Sequence, residues 1–371
     1  MPSRSTRFRA FQLTAIIACV LAVSVVLMTI TFPLTFVFGL CVVLLTSLFV
    51  WNPMIAIYGM ALTYPYLNTE IVFGSFNVPI VDIFGLCSVL ALGIRTTLNY
   101  FVYNKAQRFA VPPGWVLWLT FLGVGLLSAQ DALVFVDSIK YIARPLAFFF
   151  IVFVISVPSI VRTEQALRTT IMLMMVTSLL VAVYGFLGLF FVDTPSLLQR
   201  RAIPFSLFGY YPLGTNHNLI ADVMVTSLPL AWYLWSTARD RLSRRLFLLV
   251  MIFLTVVGLL TFSRTAWLAC ILESIVLWRI SYAHMARRML PLLISIVLAA
   301  SPLIIYMFIF IQQAEIKSSN VNRIMLGEIA LDMWREHPYI GAGPGTFISY
   351  VERNSIYMKD FGSPLDAHSV V

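Results

Sequence analysis

The chain has 371 residues, 60% of them hydrophobic and 11% charged, with a formal net charge of +9. Soluble domains carry about 25% charged and about 45–50% apolar residues, so this composition excludes a soluble enzyme and makes lipid the solvent for most of the chain. Backbone groups in lipid need partners within their own segment, and the apolar runs are continuous rather than alternating, so the expected fold class is an all-α polytopic membrane protein and not a β-barrel.

In chain order, runs long enough to cross a hydrocarbon core fall at 11–30, 33–50, 52–67, 79–98, 112–129, 139–157, 170–192, 217–235, 245–262, 265–280 and 290–312. The basic stretch Arg4-Ser5-Thr6-Arg7-Phe8-Arg9 before the first run resembles a signal peptide, but no small-residue cleavage site interrupts the run and a second follows at once. A retained first helix is therefore expected. Spans nine and ten meet at the corner Thr261-Phe262-Ser263-Arg264. Cys19, Cys41, Cys87 and Cys270 all sit in apolar runs without metal or disulfide spacing and read as small hydrophobes.

Loop charge sets the orientation. With the N-terminus cytoplasmic, the inner segments collect fifteen of the 25 Lys/Arg: Arg4, Arg7, Arg9, Arg95, Lys105, Arg108, Arg162, Arg168, Arg239, Arg241, Arg244, Arg245, Arg279, Arg287 and Arg288. Five of the other ten lie beyond residue 312, in a long segment that weighs little in this rule. The net charge thus reads as a positive-inside bias, with membrane lipids as partners and no nucleic acid. The outer side receives 193–216 and a large extracytoplasmic segment, 313–371. The latter has helical spacing over Arg323–Trp334 and breaks at His337-Pro338 and Gly341-Ala342-Gly343-Pro344-Gly345. Residues 369–371 turn apolar where the sequence stops, so a C-terminal truncation is expected, with about twelve spans in the full length against about eleven here.

The outer side gathers the residues with chemistry. Arg264 at its corner either snorkels to headgroups or binds an anion, and Arg200 and Arg201 share its face. Asn216 or Asn218 reads as the N-cap of span eight, whose N-terminus also favours anions. His368, in Asp366-Ala367-His368, has a side chain suited to general base catalysis near neutral pH. His337 reads as a helix-ending residue, and the 341–345 run as a tight turn rather than a phosphate loop, because Pro344 lacks an N–H. Asp82, Lys140, Arg144, Asp222 and Glu273 fall in or near spans and are functional candidates by position. No Asp/His cluster has metal spacing, and no cofactor is expected.

Four pieces, in order, resemble the O-antigen ligase and polymerase superfamily. Arg201, a Gly-aromatic stretch and Asn216-His217-Asn218-Leu219-Ile220-Ala221 resemble the family's arginine and N-x-N-x-x-A helix start. Leu260-Thr261-Phe262-Ser263-Arg264-Thr265-Ala266 is similar to its T-x-S-R-(G/T)-A corner. Arg323 through Trp334, with Glu336 through Phe347, is similar to its arginine- and glycine-bearing outer loop, and Ala367-His368-Ser369 to its A-H-N/S motif, with serine where asparagine is more usual. The resemblance covers residues 190–371 and divides the chain into N-terminal helices, 1–190, and a ligase-like region, 191–371.

The resemblance implies a metal-independent membrane glycosyltransferase in the cell inner membrane. It would transfer or polymerise a glycan from an undecaprenyl-diphosphate-linked donor to lipid A–core or another glycan acceptor. Carried over by position, Arg201 and Arg264 would bind the pyrophosphate, His368 would serve the acceptor hydroxyl, and Arg200, Asn218 and Arg323 would support the site. The alternative reading is a polysaccharide transporter or flippase. That would call for inverted repeats and broken helices, which the sequence does not display; Glu273 is its best support.

Overall fold

A computed structural model of the chain describes residues 33–66, 70–73, 76–104, 109, 111, 113–192, 200–281 and 314–362. These residues are mostly helical: α1 (Pro33–Trp51), α2 (Met54–Thr63), α3 (Ile80–Tyr103), α4 (Trp115–Ser128), α5 (Phe135–Ile160), α6 (Glu164–Phe191), α7 (His217–Ser236), α8 (Arg241–Leu260), α9 (Arg264–Ser281), α10 (Ala314–Glu336), α11 (Phe347–Arg353) and α12 (Ser355–Phe361). A short antiparallel hairpin precedes α3, with β1 (Glu70–Phe73) on β2 (Phe76–Pro79) and Glu70 opposite Pro79.

Nine of the expected spans coincide with α1 to α9; those at 11–30 and 290–312 lie outside the described residues. Five helices, α3, α5, α6, α7 and α8, are long and apolar enough to cross a membrane. The helix α9 is shorter, at 18 residues, and carries Arg264, Glu273 and Arg279. The expected span 52–67 shortens to the ten residues of α2.

Local chemistry explains the helix limits. Thr163 caps α6 by accepting the Ala166 N–H (3.1 Å), Asn216 caps α7 through the Asn218 N–H (2.9 Å), and Asp240 caps α8 through the Ser243 N–H (2.7 Å). Within α5, Pro145 has no N–H to donate, and the residues around it, Ile142–Phe148, adopt the wider π form.

The chain forms two compact units. The first, residues 1–112 with 151–274, centres on α6, α7 and α8. Met175, Val181, Ile220, Met224, Leu234, Leu254 and Val257 bury there, joined by Ala202 and Leu213 from the connection between α6 and α7. A second cluster, Phe49, Ala56, Ile83, Cys87 and Ala91, joins α1, α2 and α3. Hydroxyls cross-link the first unit where lipid offers none: Tyr64 Oη lies 2.8 Å from Ser178 Oγ, and the Ser227 hydroxyl is 2.6 Å from the same oxygen. The other unit, residues 113–150 with 275–371, holds α10 against α11 and α12 through Leu326, Ile329, Val351 and Tyr357, and the Tyr357 hydroxyl donates to Asn322 Oδ1 at 2.9 Å.

Candidate functional site

In the first unit, α6, α7 and α8 alternate in direction. At one end the Arg168 guanidinium donates to the Thr237 carbonyl (3.4 Å) and the Arg244 guanidinium stacks 4.9 Å over the Trp235 ring, so the start of α6, the end of α7 and the start of α8 lie together. That end carries Arg162, Arg168, Arg239, Arg241, Arg244 and Arg245. At the opposite end, residues 200–216 form a strap over the end of α6, leading into α7.

Three contacts fix the strap. The Tyr184 hydroxyl donates to the Phe205 carbonyl and accepts the Phe205 N–H (3.0 Å), with the two rings stacked at 4.7 Å. A Cβ at Gly188 would overlap the Ile203 carbonyl oxygen, so only glycine lets the strap lie this close on α6. The third contact decides the site: the Ala202 N–H donates to the Leu260 carbonyl at 2.8 Å. Leu260 is the last residue of α8, so Arg200 and Arg201 are pinned beside the corner that leads to Arg264.

The corner itself is tightly built. The Thr261 hydroxyl donates to the Gly258 carbonyl (2.7 Å) and accepts the Ser263 N–H (3.3 Å). Phe262 takes a left-handed conformation, φ 55°. For a bulky residue this costs about 1–2 kcal/mol and ends α8 in a single step, so that Arg264 is already the first residue of α9. The Trp267 indole N–H donates back to the Leu259 carbonyl at 3.1 Å, which clamps the first turn of α9 against the end of α8.

Arg201 and Arg264 are exposed; Arg200 is partly buried, with an inaccessible Nε that has no hydrogen-bond partner among the described residues. The N-termini of α7 and α9 open at this same end, and their orphan N–H groups add positive potential to that of the three guanidinium groups. No Asp or Glu lies within 200–221 or 260–272. Such an end attracts an anion with several oxygens, and the planar donor forks of arginine match phosphate geometry. Asn218 sits in the first turn of α7, half-buried, with its N–H committed to the Asn216 cap.

The remaining sequence candidates separate. His368 lies outside the described residues. Arg323 is on α10 in the other unit. Lys140 pairs with Asp137 at 3.1 Å on an exposed surface, a contact of small energetic weight. Glu273 is partly buried on α9, with Oε2 inaccessible and without a hydrogen bond among the described residues. His337 ends α10, its Nε2 3.2 Å from the Tyr350 hydroxyl. Burial, with Glu336 nearby, raises the Tyr350 phenol above its ordinary pKa, partly opposed by Arg353. Among the described residues no group of three or more His, Cys, Asp or Glu could hold a metal ion.

The glycine-rich run is a docking turn. Gly341, Gly343 and Gly345 all have positive φ. The Gly343 N–H donates to Ser128 Oγ (2.8 Å), and the Ser138 hydroxyl donates to the Pro344 carbonyl (2.7 Å). A Cβ at Gly343 would stand 2.5 Å from that of Ala132 and 2.9 Å from Ser138 Oγ. The turn thus seats the C-terminal segment on the connection between α4 and α5.

Sequence reading named Phe262 only as part of the corner and missed Tyr184, Gly188 and Ala202, which fix the strap. A backbone hydrogen bond between segments about 60 residues apart leaves no signal in residue spacing. No curated protein and no solved structure matches the chain. Residues 249–371 match the family model described as O-antigen ligase. The match includes Arg264, Arg323 and His368, while Arg201 lies before it and joins Arg264 through the Ala202–Leu260 hydrogen bond. Over this C-terminal third, residues 249–371, the chain is similar to the O-antigen ligase family.

Proposed function

We propose that the protein transfers a glycan from an undecaprenyl-diphosphate donor to a glycan hydroxyl at the outer face of the inner membrane. The observation that carries this reading is the hydrogen bond that sets the Arg200–Arg201 strap beside the Arg264 corner. It is supported by the six arginines at the far end of the same helices, the pattern of a cytoplasmic side. The N-terminus is then inside and residues 314–362 outside.

In the reaction, the bond between the sugar C1 and the pyrophosphate oxygen breaks while the acceptor oxygen bonds to C1. The electron pair leaves with the pyrophosphate. Arg201 and Arg264 neutralise the charge that develops there, which lowers the barrier because the guanidinium groups are already oriented. His368 takes the acceptor proton, and undecaprenyl diphosphate departs. Arg200 adds positive potential, and Asn218 and Arg323 are proposed to support the site. A ligase uses lipid A–core as acceptor and a polymerase uses another lipid-linked glycan; the chemistry at C1 is the same.

Transfer from a lipid-diphosphate-linked glycan in reconstituted vesicles tests the proposal. Arg201→Ala and Arg264→Ala each lower kcat by about 10²–10³. Because both grip one group, the double variant loses less than the product of the two. Lysine at either position restores only part of the rate. Undiminished transfer in Arg264→Ala and His368→Ala would overturn the assignment. Movement of intact lipid-linked glycan across the bilayer, without transfer, would favour a flippase.

A further inference from the structure

The strap carries a feature that neither the pinning of the arginines nor the packing of the unit requires. Leu207 and Tyr210 exchange backbone hydrogen bonds (2.9 and 3.0 Å) around a two-residue turn, Phe208-Gly209. Both turn residues have positive φ, 53° and 83°. The first position of such a turn favours Asn, Asp or Gly; here it holds phenylalanine, fully exposed at 107%. Leu207, Tyr210 and Tyr211 are exposed as well. Neither backbone preference nor burial accounts for a phenylalanine at this tip, so the reason lies in what the tip meets.

We propose that the Leu207–Tyr211 hairpin is an interfacial anchor. Its tip sits in the headgroup region of the same bilayer that the helices span and holds Arg200 and Arg201 at the depth of lipid phosphates.

Three observations favour a bilayer over a glycan. The hairpin closes the end of α6, whose last residues, Phe190 and Phe191, are exposed apolar side chains at the same end. Arg200 and Arg201 flank it, complementing anionic lipid phosphates, and aromatic residues beside arginine are the usual composition of a membrane boundary. Residues 200–213 contain no Asp, Glu, Asn or Gln to satisfy sugar hydroxyls around an aromatic platform. The proposal rests on the membrane-spanning reading and is independent of glycosyl transfer.

The test places a nitrobenzoxadiazole label at position 208 of Phe208→Cys, with Cys19, Cys41, Cys87 and Cys270 replaced by alanine. The full chain is reconstituted in vesicles of phosphatidylethanolamine and phosphatidylglycerol. A label at exposed Thr215, in Thr215→Cys, reports whether the dye inserts of its own accord. The 208 label is expected to emit at shorter wavelength, and nitroxide-bearing lipids quench it at least about twofold more than the 215 label. Equal quenching at the two positions, or a 208 label quenched by aqueous iodide as readily as the 215 label, would overturn the anchor. A 208 label that stays in water and is shielded only on addition of lipid-linked glycan would assign the hairpin to substrate, and would overturn it too.

Discussion

At Gly188 and Gly343 a single hydrogen in place of a methyl decides where a segment lies. Alanine is the better helix former, so Gly188→Ala leaves α6 intact; its Cβ meets the Ile203 carbonyl and lifts the strap. The circular-dichroism helix signal is therefore expected to stay constant while vesicle transfer falls about 10–100-fold, the usual consequence of misplacing a site by about 1 Å. Gly343→Ala meets both a left-handed backbone (φ 95°) and contact with Ala132 and Ser138. It is expected to destabilise the seating of 341–345 by about 1–3 kcal/mol, read as faster proteolysis within 314–362. Ser128→Ala removes only the acceptor of the Gly343 N–H and costs about 1 kcal/mol.

The helix starts show how one local interaction sets an element. Asp240, fully exposed at the head of α8, has its pKa lowered by hydrogen bonds from the Ser243 backbone and side chain. A folded pKa below the unfolded one contributes stability that is fully present above the ordinary aspartate value of about 3.9 and is lost as pH falls through the lower folded value. Neutral and alkaline conditions leave the cap intact, and strong acid removes it. Hydrogen exchange of the Ser243 amide should accelerate in Asp240→Ala and stay near the unaltered rate in Asp240→Asn, whose amide oxygen still accepts. Of the caps, the sequence offered Asn216 or Asn218 for α7, because a cap acts on N–H groups two or three residues away; Thr163 and Asp240 came from the structure. The π form of α5 came from the structure too, although Pro145 in the middle of an apolar run was its signal.

For the whole molecule, the charge count becomes an arrangement. Antiparallel α6, α7 and α8 put six arginines at one end and the Arg200–Arg201 strap with the Arg264 corner at the other. Cysteine at position 215 should react with a membrane-impermeant thiol reagent in intact spheroplasts, and cysteine at position 240 only after lysis; the reverse pattern would invert the orientation. Nine of the eleven expected runs coincide with helices α1 to α9, five of them long and apolar enough to cross a membrane, because the lipid constraint acts on each segment separately. Their lengths were less legible: α2 keeps ten residues where sixteen were expected, because Asn52-Pro53 and Tyr64-Pro65 bound it.

By itself, the sequence determined a helical membrane protein, a charge asymmetry along it, and the arginines proposed to hold an anion, Arg200, Arg201 and Arg264. Hydropathy, caps and corners are properties of contiguous residues. Only the tertiary structure showed that the segment after Arg201 lies on the end of α8, through the Ala202–Leu260 hydrogen bond and the space that Gly188 leaves on α6. It also decided that Gly341 and Gly343 pack closely on Ser128, Ala132 and Ser138. Both outcomes depend on approach between backbones distant in the chain. Residue spacing carries no record of that approach, because what permits it is the absence of a side chain.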